Sequence, residues 1–251
     1  METQLKEILD WLEQYKGITR CRGVVLGISG GKDSTVVAML AKKVWGDNVL
    51  GILMPNHNQS DINDALDIVN TIGIKFKIVN IGKVYDSLLE VVEDEGSGSD
   101  HCNGKVFNIS QKAHTNIPPR IRMTVLYAIA QTLGYRVIGT GNASEAYIGW
   151  TTKWGDSAYD FNPIAHLTCT EVMALGELLA DEFGLNKKYV TKTPSDGLCG
   201  KSDEDSFGFT YATLDGYISG GVTSTDYETA LKIEQMHQAS EHKRNMPATL
   251  E

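Results

Sequence analysis

Gly23-Val24-Val25-Leu26-Gly27-Ile28-Ser29-Gly30-Gly31-Lys32-Asp33-Ser34 runs from an apolar segment straight into two glycines, a lysine, an aspartate and two serines. Residues 23–28 are too few for a buried helix and read as a buried strand, and residues 35–44 follow with helical spacing. Glycines in such a turn let the backbone approach an anion, and the first N–H groups of the helix point at it. Ser29 and Ser34 add hydroxyl donors. Asp33 repels a phosphate on its own; a Mg²⁺ that takes oxygens from both carboxylate and phosphate removes the conflict. A plain glycine turn between strand and helix is the alternative, and it leaves the serines and the aspartate without a reason. Two other phosphate loops fail on spacing. A G-x-x-x-x-G-K-[ST] loop needs glycine where Leu26 stands, and a G-x-G-x-x-G fingerprint is broken because Ile28-Ser29 follows Gly27.

Outward from this turn, strands and helices alternate. Residues 48–54, 74–81 and 136–139 read as further strands, and residues 61–72 and 83–92 as helices. Pro118-Pro119 is expected to open a helix that continues through 121–133 and stops at Gly134. Leu5, Ile8, Leu9, Leu12 and Tyr15 mark an amphipathic N-terminal helix expected to end at Gly17. This alternation predicts an α/β fold, a doubly wound parallel sheet flanked by helices with right-handed crossovers. No repeat or linker divides the chain, so one domain over residues 1–251 is expected. Ligands of such sheets bind beyond the carboxyl ends of the strands. Further on, residues 170–183 read as a helix capped by Gly184, 193–209 as a long mobile loop, and 226–239 as a helix before a polar tail.

Charge narrows the partners. With 23 Lys and Arg against 32 Asp and Glu, the net charge of −9 does not suit a protein that neutralises many nucleic-acid phosphates. A small anionic substrate stays compatible, because a few lysines and one Mg²⁺ can reverse the field in a pocket. No apolar run approaches the ~20 residues of a membrane span, and Met1-Glu2-Thr3-Gln4 lacks the start of a signal peptide. Cys21, Cys102, Cys169 and Cys199 are scattered, as reduced thiols of a cytoplasmic protein would be.

A second loop, Thr140-Gly141-Asn142-Ala143-Ser144-Glu145, leaves the strand at 136–139 toward the same sheet edge. Glu145 there either shares a Mg²⁺ with Asp33 or simply favours a helix N-terminus. Arg120 and Arg122, expected at the start of a helix, suit a bound anion; singly, each also reads as a surface arginine. Gly149-Trp150-Thr151-Thr152-Lys153-Trp154-Gly155-Asp156 can flank a flat ring, though such tryptophans are also common in cores. Lys153 and Asp160 are candidates for charge stabilisation at a carbonyl. Lys201-Ser202-Asp203-Glu204-Asp205 reads as a solvated charged loop.

Taken in order, these motifs carry a resemblance. The loop Ser29–Ser34 is similar to the SGGxDS loop of the N-type ATP pyrophosphatases. With Arg120-Ile121-Arg122-Met123, Thr140–Glu145, Thr152–Asp156, Lys192-Thr193-Pro194-Ser195, Ser202-Asp203-Glu204 and His242-Lys243-Arg244, the chain resembles the ammonia-dependent NAD synthetases. That resemblance implies ATP and Mg²⁺, deamido-NAD as the carboxylate substrate, ammonia as the nitrogen source, and a homodimer. It also implies residue roles. Gly27, Ile28, Ser29, Gly30, Gly31, Lys32, Asp33, Ser34, Thr140 and Ser195 would hold ATP, with Asp33 and Glu145 on the metal. Arg120, Lys153, Asp160, His242 and Lys243 would contact deamido-NAD, with Asp33, Lys153 and Asp160 nearest the chemistry. The segment 202–209 would close over the site. Many members place a lysine on ATP where this chain has Cys169; Lys32 or Lys201 is one source for that charge, and the favoured alternative reads Cys169 simply as a small buried thiol. Two rivals follow: a tRNA-thiolating or nucleobase-amidating relative, and a non-catalytic nucleotide sensor.

Overall fold

Val24, Leu26 and Ile28 pack into one buried cluster and Val25 into another, so the strand that carries them is covered on both faces. The computed structural model describes residues 1–58, 62–93, 109–192 and 202–250. Along the chain come α1 (Glu2–Thr19), β1 (Val24–Gly27), α2 (Lys32–Trp45), β2 (Val49–Leu53), α3 (Ile62–Ile72) and β3 (Lys75–Ile78). Then follow α4 (Gly82–Glu93), α5 (Gln111–Leu133), β4 (Arg136–Val137), α6 (Ala143–Ile148), α7 (Cys169–Phe183) and α8 (Lys188–Thr191). The C-terminal part holds α9 (Asp203–Phe207), α10 (Tyr211–Gly220), α11 (Tyr227–Ala239) and α12 (Glu241–Arg244).

The four strands pair in parallel in the order β3-β2-β1-β4. Side-chain alternation sorts the helices onto the two faces. Val24, Leu26, Val49 and Leu53 meet apolar residues of α1, α2, α3, α7 and α8. Val25, Ile52 and Val137 meet Ile121 and Ala130 of α5, and Tyr85 of α4. The α/β doubly wound architecture expected from the sequence is therefore present. A third cluster joins Ile148 and Cys169 to Phe207, Phe209, Tyr211, Leu214 and Ile233, placing α9, α10 and α11 beside α6. Strand order reverses between β2-β1 and β1-β4, and the segments leaving β1 and β4 sit side by side at that switch point.

Several expectations need correction. α1 runs past Gly17 to Thr19, because Arg20 takes the left-handed cap at φ 52° and its N–H reaches Lys16 O. α5 starts at Gln111, capped by Ser110, so Pro118 and Pro119 lie inside the helix. Arg120 and Arg122 consequently sit mid-helix, and the dipole argument for an anion beside them falls away. Within the loop expected at 193–209, residues 203–207 form α9, held by a Ser202–Asp205 capping box, with Phe207 and Asp203 buried. Asp203 is thus no solvated charge: it accepts from the Tyr211 hydroxyl at 3.1 Å. Ser195 and Lys201, like the rest of 193–201, lie outside the described residues.

Candidate active site

The site grows from the turn after β1. Gly30 has φ +85°, a conformation natural only to glycine, and Gly31 caps α2. Ser34 Oγ donates to Gly31 O at 3.1 Å and lies 3.1 Å from Ser29 Oγ; Ser29 Oγ in turn accepts from Gly31 N at 3.2 Å. The two serines brace the loop from inside, and the first N–H groups of α2 have no carbonyl of their own helix to meet, as in an anion cradle.

Asp33 and Glu145 stand in the first turns of α2 and α6, more than a hundred residues apart, and Asn142 joins them. Its amide Nδ2 donates to Asp33 Oδ1 at 3.0 Å, and its backbone N–H donates to Glu145 Oε2 at 3.2 Å. Glu145 N–H returns a bond to Asn142 Oδ1 at 3.0 Å, completing the capping box that starts α6. Glu145 therefore serves the helix start and faces Asp33 as well; the two readings of it are compatible. Burial, then the nearby Asp33, push the Glu145 carboxyl up to about 8 against the opposing pull of Lys32. Such a pair of close carboxylates fits a magnesium ion, which takes one or two protein carboxylates and completes its shell with phosphate and water. Among the described residues no group of three His, Cys, Asp or Glu gathers for a metal.

Lys32 is only 3% exposed, and its ammonium lies 2.7 Å from Asp33 Oδ2. Burial opposes its charge, yet Asp33 and Glu145 outweigh burial and raise its pKa. The ammonium also lies 5.5 Å from the centroid of the Tyr211 ring. Cys169 is fully buried beside this group, and its backbone N–H donates to Ser144 Oγ at 2.9 Å. Ser144 donates to Asp215, which also accepts from Thr170 N at 2.8 Å, tying α6 and α7 together at their starts.

The remaining candidates fall into two groups. Arg120 Nε donates to Lys153 O at 3.3 Å, Lys153 Nζ donates to His242 O, and Lys243 Nζ donates to Gly149 O at 2.7 Å and Thr151 O at 2.6 Å. The structure therefore brings the cations Arg120, Lys153 and Lys243 and the backbone of His242 into one group beside α6. Trp154, with φ 62° and its ring 53% exposed, stands at its rim. Asp160 is held elsewhere: its carboxylate accepts from Val137 N at 2.8 Å, within β4. Thr140 lies between β4 and α6, next to the Asn142 bridge. Sequence reasoning missed Asn142, Tyr211 and Asp215. Asn142 alone had a local signal, the N-x-x-E spacing of a capping box.

The NAD synthase family model matches residues 4–247. The chain belongs to the NAD synthase family. An NH(3)-dependent NAD(+) synthetase of Carboxydothermus hydrogenoformans is 38% identical over 248 residues, covering 98% of this chain and 96% of that one. Among solved structures, the NMN synthetase of Francisella tularensis superposes with a TM-score of 0.87 at 30% identity, over 99% of this chain and 98% of that one. The NH3-dependent NAD synthetase of Campylobacter jejuni, in complex with the nitrate ion, gives 0.77 at 27% identity, over 100% and 98%. As an NAD synthase family member the protein is an enzyme of the ligase class that forms carbon–nitrogen bonds.

Proposed function

We propose that this protein amidates deamido-NAD with ammonia at the expense of ATP. The observation that carries the reading is the Asp33–Asn142–Glu145 bridge, which fixes a carboxylate pair at the mouth of the glycine loop. In the first step an oxygen of the nicotinate carboxylate attacks the α-phosphate, and the bond to pyrophosphate breaks. In the second, ammonia adds to the adenylated carbonyl, AMP leaves with the bond electrons, and a proton is released. Neither step needs a protein nucleophile; both need placed charge. The loop 27–34 cradles the polyphosphate, with Thr140 and Ser195 as further ATP contacts. Asp33 and Glu145 would hold Mg²⁺, whose chemistry is to neutralise phosphate oxygens. Arg120, Lys153, His242 and Lys243 are assigned to the anionic dinucleotide, and so is Asp160, which lies apart from them against the backbone of β4.

Domain, assembly and compartment belong to the same proposal. Residues 1–251 act as one domain, in a homodimer. Support for the dimer comes from an exposed apolar strip: Phe76 and Ile78 on the edge strand β3, and Val84, Leu88, Val91 and Val92 along one side of α4. The buried free thiols of Cys21 and Cys169 fit a reducing cytoplasm.

A second reading has its own support, because the Francisella tularensis structure with the TM-score of 0.87 is an NMN synthetase. On that reading the substrate is the mononucleotide carboxylate. One experiment separates all readings: ATP, Mg²⁺ and ammonium are supplied with deamido-NAD or with nicotinate mononucleotide, and AMP, pyrophosphate and amide are measured. The proposal expects kcat/KM for deamido-NAD to exceed that for the mononucleotide. The reverse ratio selects the second reading, and ATP left intact with both substrates refutes each.

A further inference from the structure

Lys32 sits in the first turn of α2, where the helix dipole disfavours a cation, and it is almost wholly buried. A lysine in such a place needs nearby negative charge. The structure supplies it from two carboxylates, Asp33 at 2.7 Å and Glu145 behind it. Two more buried carboxylates, Asp203 and Asp215, are held by their own donors, the Tyr211 hydroxyl and Ser144. The Tyr211 ring lies under the ammonium at 5.5 Å, and the Cys169 thiol is kept neutral by its burial. Asp33 itself has little to spare, with Oδ2 on Lys32 and Oδ1 on Asn142.

A divalent cation taken by Asp33 and Glu145 would meet this ammonium at short range, in surroundings that screen poorly. Both cations compete for the same Asp33 oxygen. The lysine, on four flexible methylenes, is the partner able to leave. Resting on the assignment of Asp33 and Glu145 as metal ligands, we propose that Lys32 is a displaceable internal cation. It offsets the Asp33 charge in the metal-free protein. When metal and nucleotide enter together, it releases Asp33 Oδ2 and turns to the polyphosphate. Metal alone, with no phosphate to receive the lysine, binds weakly; metal and nucleotide bind with positive coupling.

The test counts bound Mn²⁺ by electron paramagnetic resonance without nucleotide, in the full-length protein and its Lys32→Gln and Lys32→Arg variants. Lys32→Gln is expected to bind Mn²⁺ at least ~10-fold more tightly than the parent, because a like charge has gone. Lys32→Arg is expected to bind as weakly as the parent. Equal or weaker binding by Lys32→Gln overturns the proposal. So does Mn²⁺ that stays bound when Asp33→Asn is added to Lys32→Gln, since the ion then lies elsewhere. A measurement on the unmutated protein covers a variant that fails to fold. In ¹⁵N-lysine-labelled protein the hydrogen-bonded Lys32 ammonium signal is expected to shift only when Mg²⁺ and a non-hydrolysable ATP analogue are both present; a signal unmoved by the pair overturns displacement. Neither measurement needs turnover, so a wrong carboxylate substrate would leave both results intact.

Discussion

Cys169 begins α7 with its thiol enclosed by the third apolar cluster and close enough to Lys32 for each to shift the other's ionisation. Burial pushes the thiol up to about 12, against the pull of Lys32 in the other direction. The unfolded thiol ionises near its ordinary value of 9.0, so between there and about 12 the folded state holds more protons. Stability is therefore lost as pH rises through that window. A second result follows at milder pH: at pH 8.5 iodoacetamide should label Cys169 only after denaturation, as read by mass spectrometry of the peptide. Rapid labelling of the native protein would contradict the buried, neutral thiol. At this scale the sequence made the glycine loop, Asp33 and Glu145 legible, since each is part of a local pattern. The destination of Lys32 and the role of Asn142 were not legible. The first depends on the Tyr211 ring brought in from α10, the second on a contact between residues 33 and 142 that the β1–β4 pairing creates.

Helix α6 has six residues, too short to hold its own shape in water. Both ends are supplied from outside its run of hydrogen bonds. Asn142 caps the start, and Gly149, at φ +67°, ends it so close to Ser240 that a Cβ would lie 2.1 Å from that residue's Cβ. Arg244 of α12 then donates to the carbonyls of Ala146 at 3.2 Å and Tyr147 at 2.9 Å, and to His237 O at 2.6 Å, adding to the bonds that Gly149 N and the His237 ring already make to the first two. Arg244→Ala should cost roughly 1–3 kcal/mol, because charged hydrogen bonds to three carbonyls are lost. Since α6 carries Glu145, the same variant should lower kcat by roughly ten-fold with a smaller change in KM. Thermal melting together with steady-state kinetics tests both, and an unchanged kcat would remove the clamp from the mechanism. The cap signals at both ends of α6 were readable in the sequence. The early start of α5 was not: proline inside a helix gives up a hydrogen bond and crowds the preceding turn, so Pro118-Pro119 reads as an opening, yet here Ser110 caps the helix eight residues earlier.

Across the whole molecule, strand and helix periodicity alone gave the parallel sheet, because β1 and β2 are buried on both faces and read as unbroken apolar runs. β3 is different. Its four residues are all exposed, on an edge of the sheet. An edge strand with Phe76 and Ile78 open to solvent invites association unless a partner covers it. The proposed homodimer does so, and the substitution Val91→Glu, at a residue 76% exposed, should leave the monomer folded. Sedimentation velocity should show twice the chain mass for the parent and a shift toward single chains for Val91→Glu combined with Leu88→Glu. A parent protein that sediments as a single chain at micromolar concentration would rule the assembly out.

The place of β4 beside β1 also imposes an order in time. β1, β2 and β3 follow one another closely and pair with their neighbours in sequence, whereas β4 arrives more than a hundred residues after the strand it joins. Closing that distance is slow relative to the local pairings. During synthesis the glycine loop is thus present long before its second carboxylate. The half-made chain carries a phosphate cradle without the partner loop that completes the site, and becomes competent only once the segment after β4 has docked.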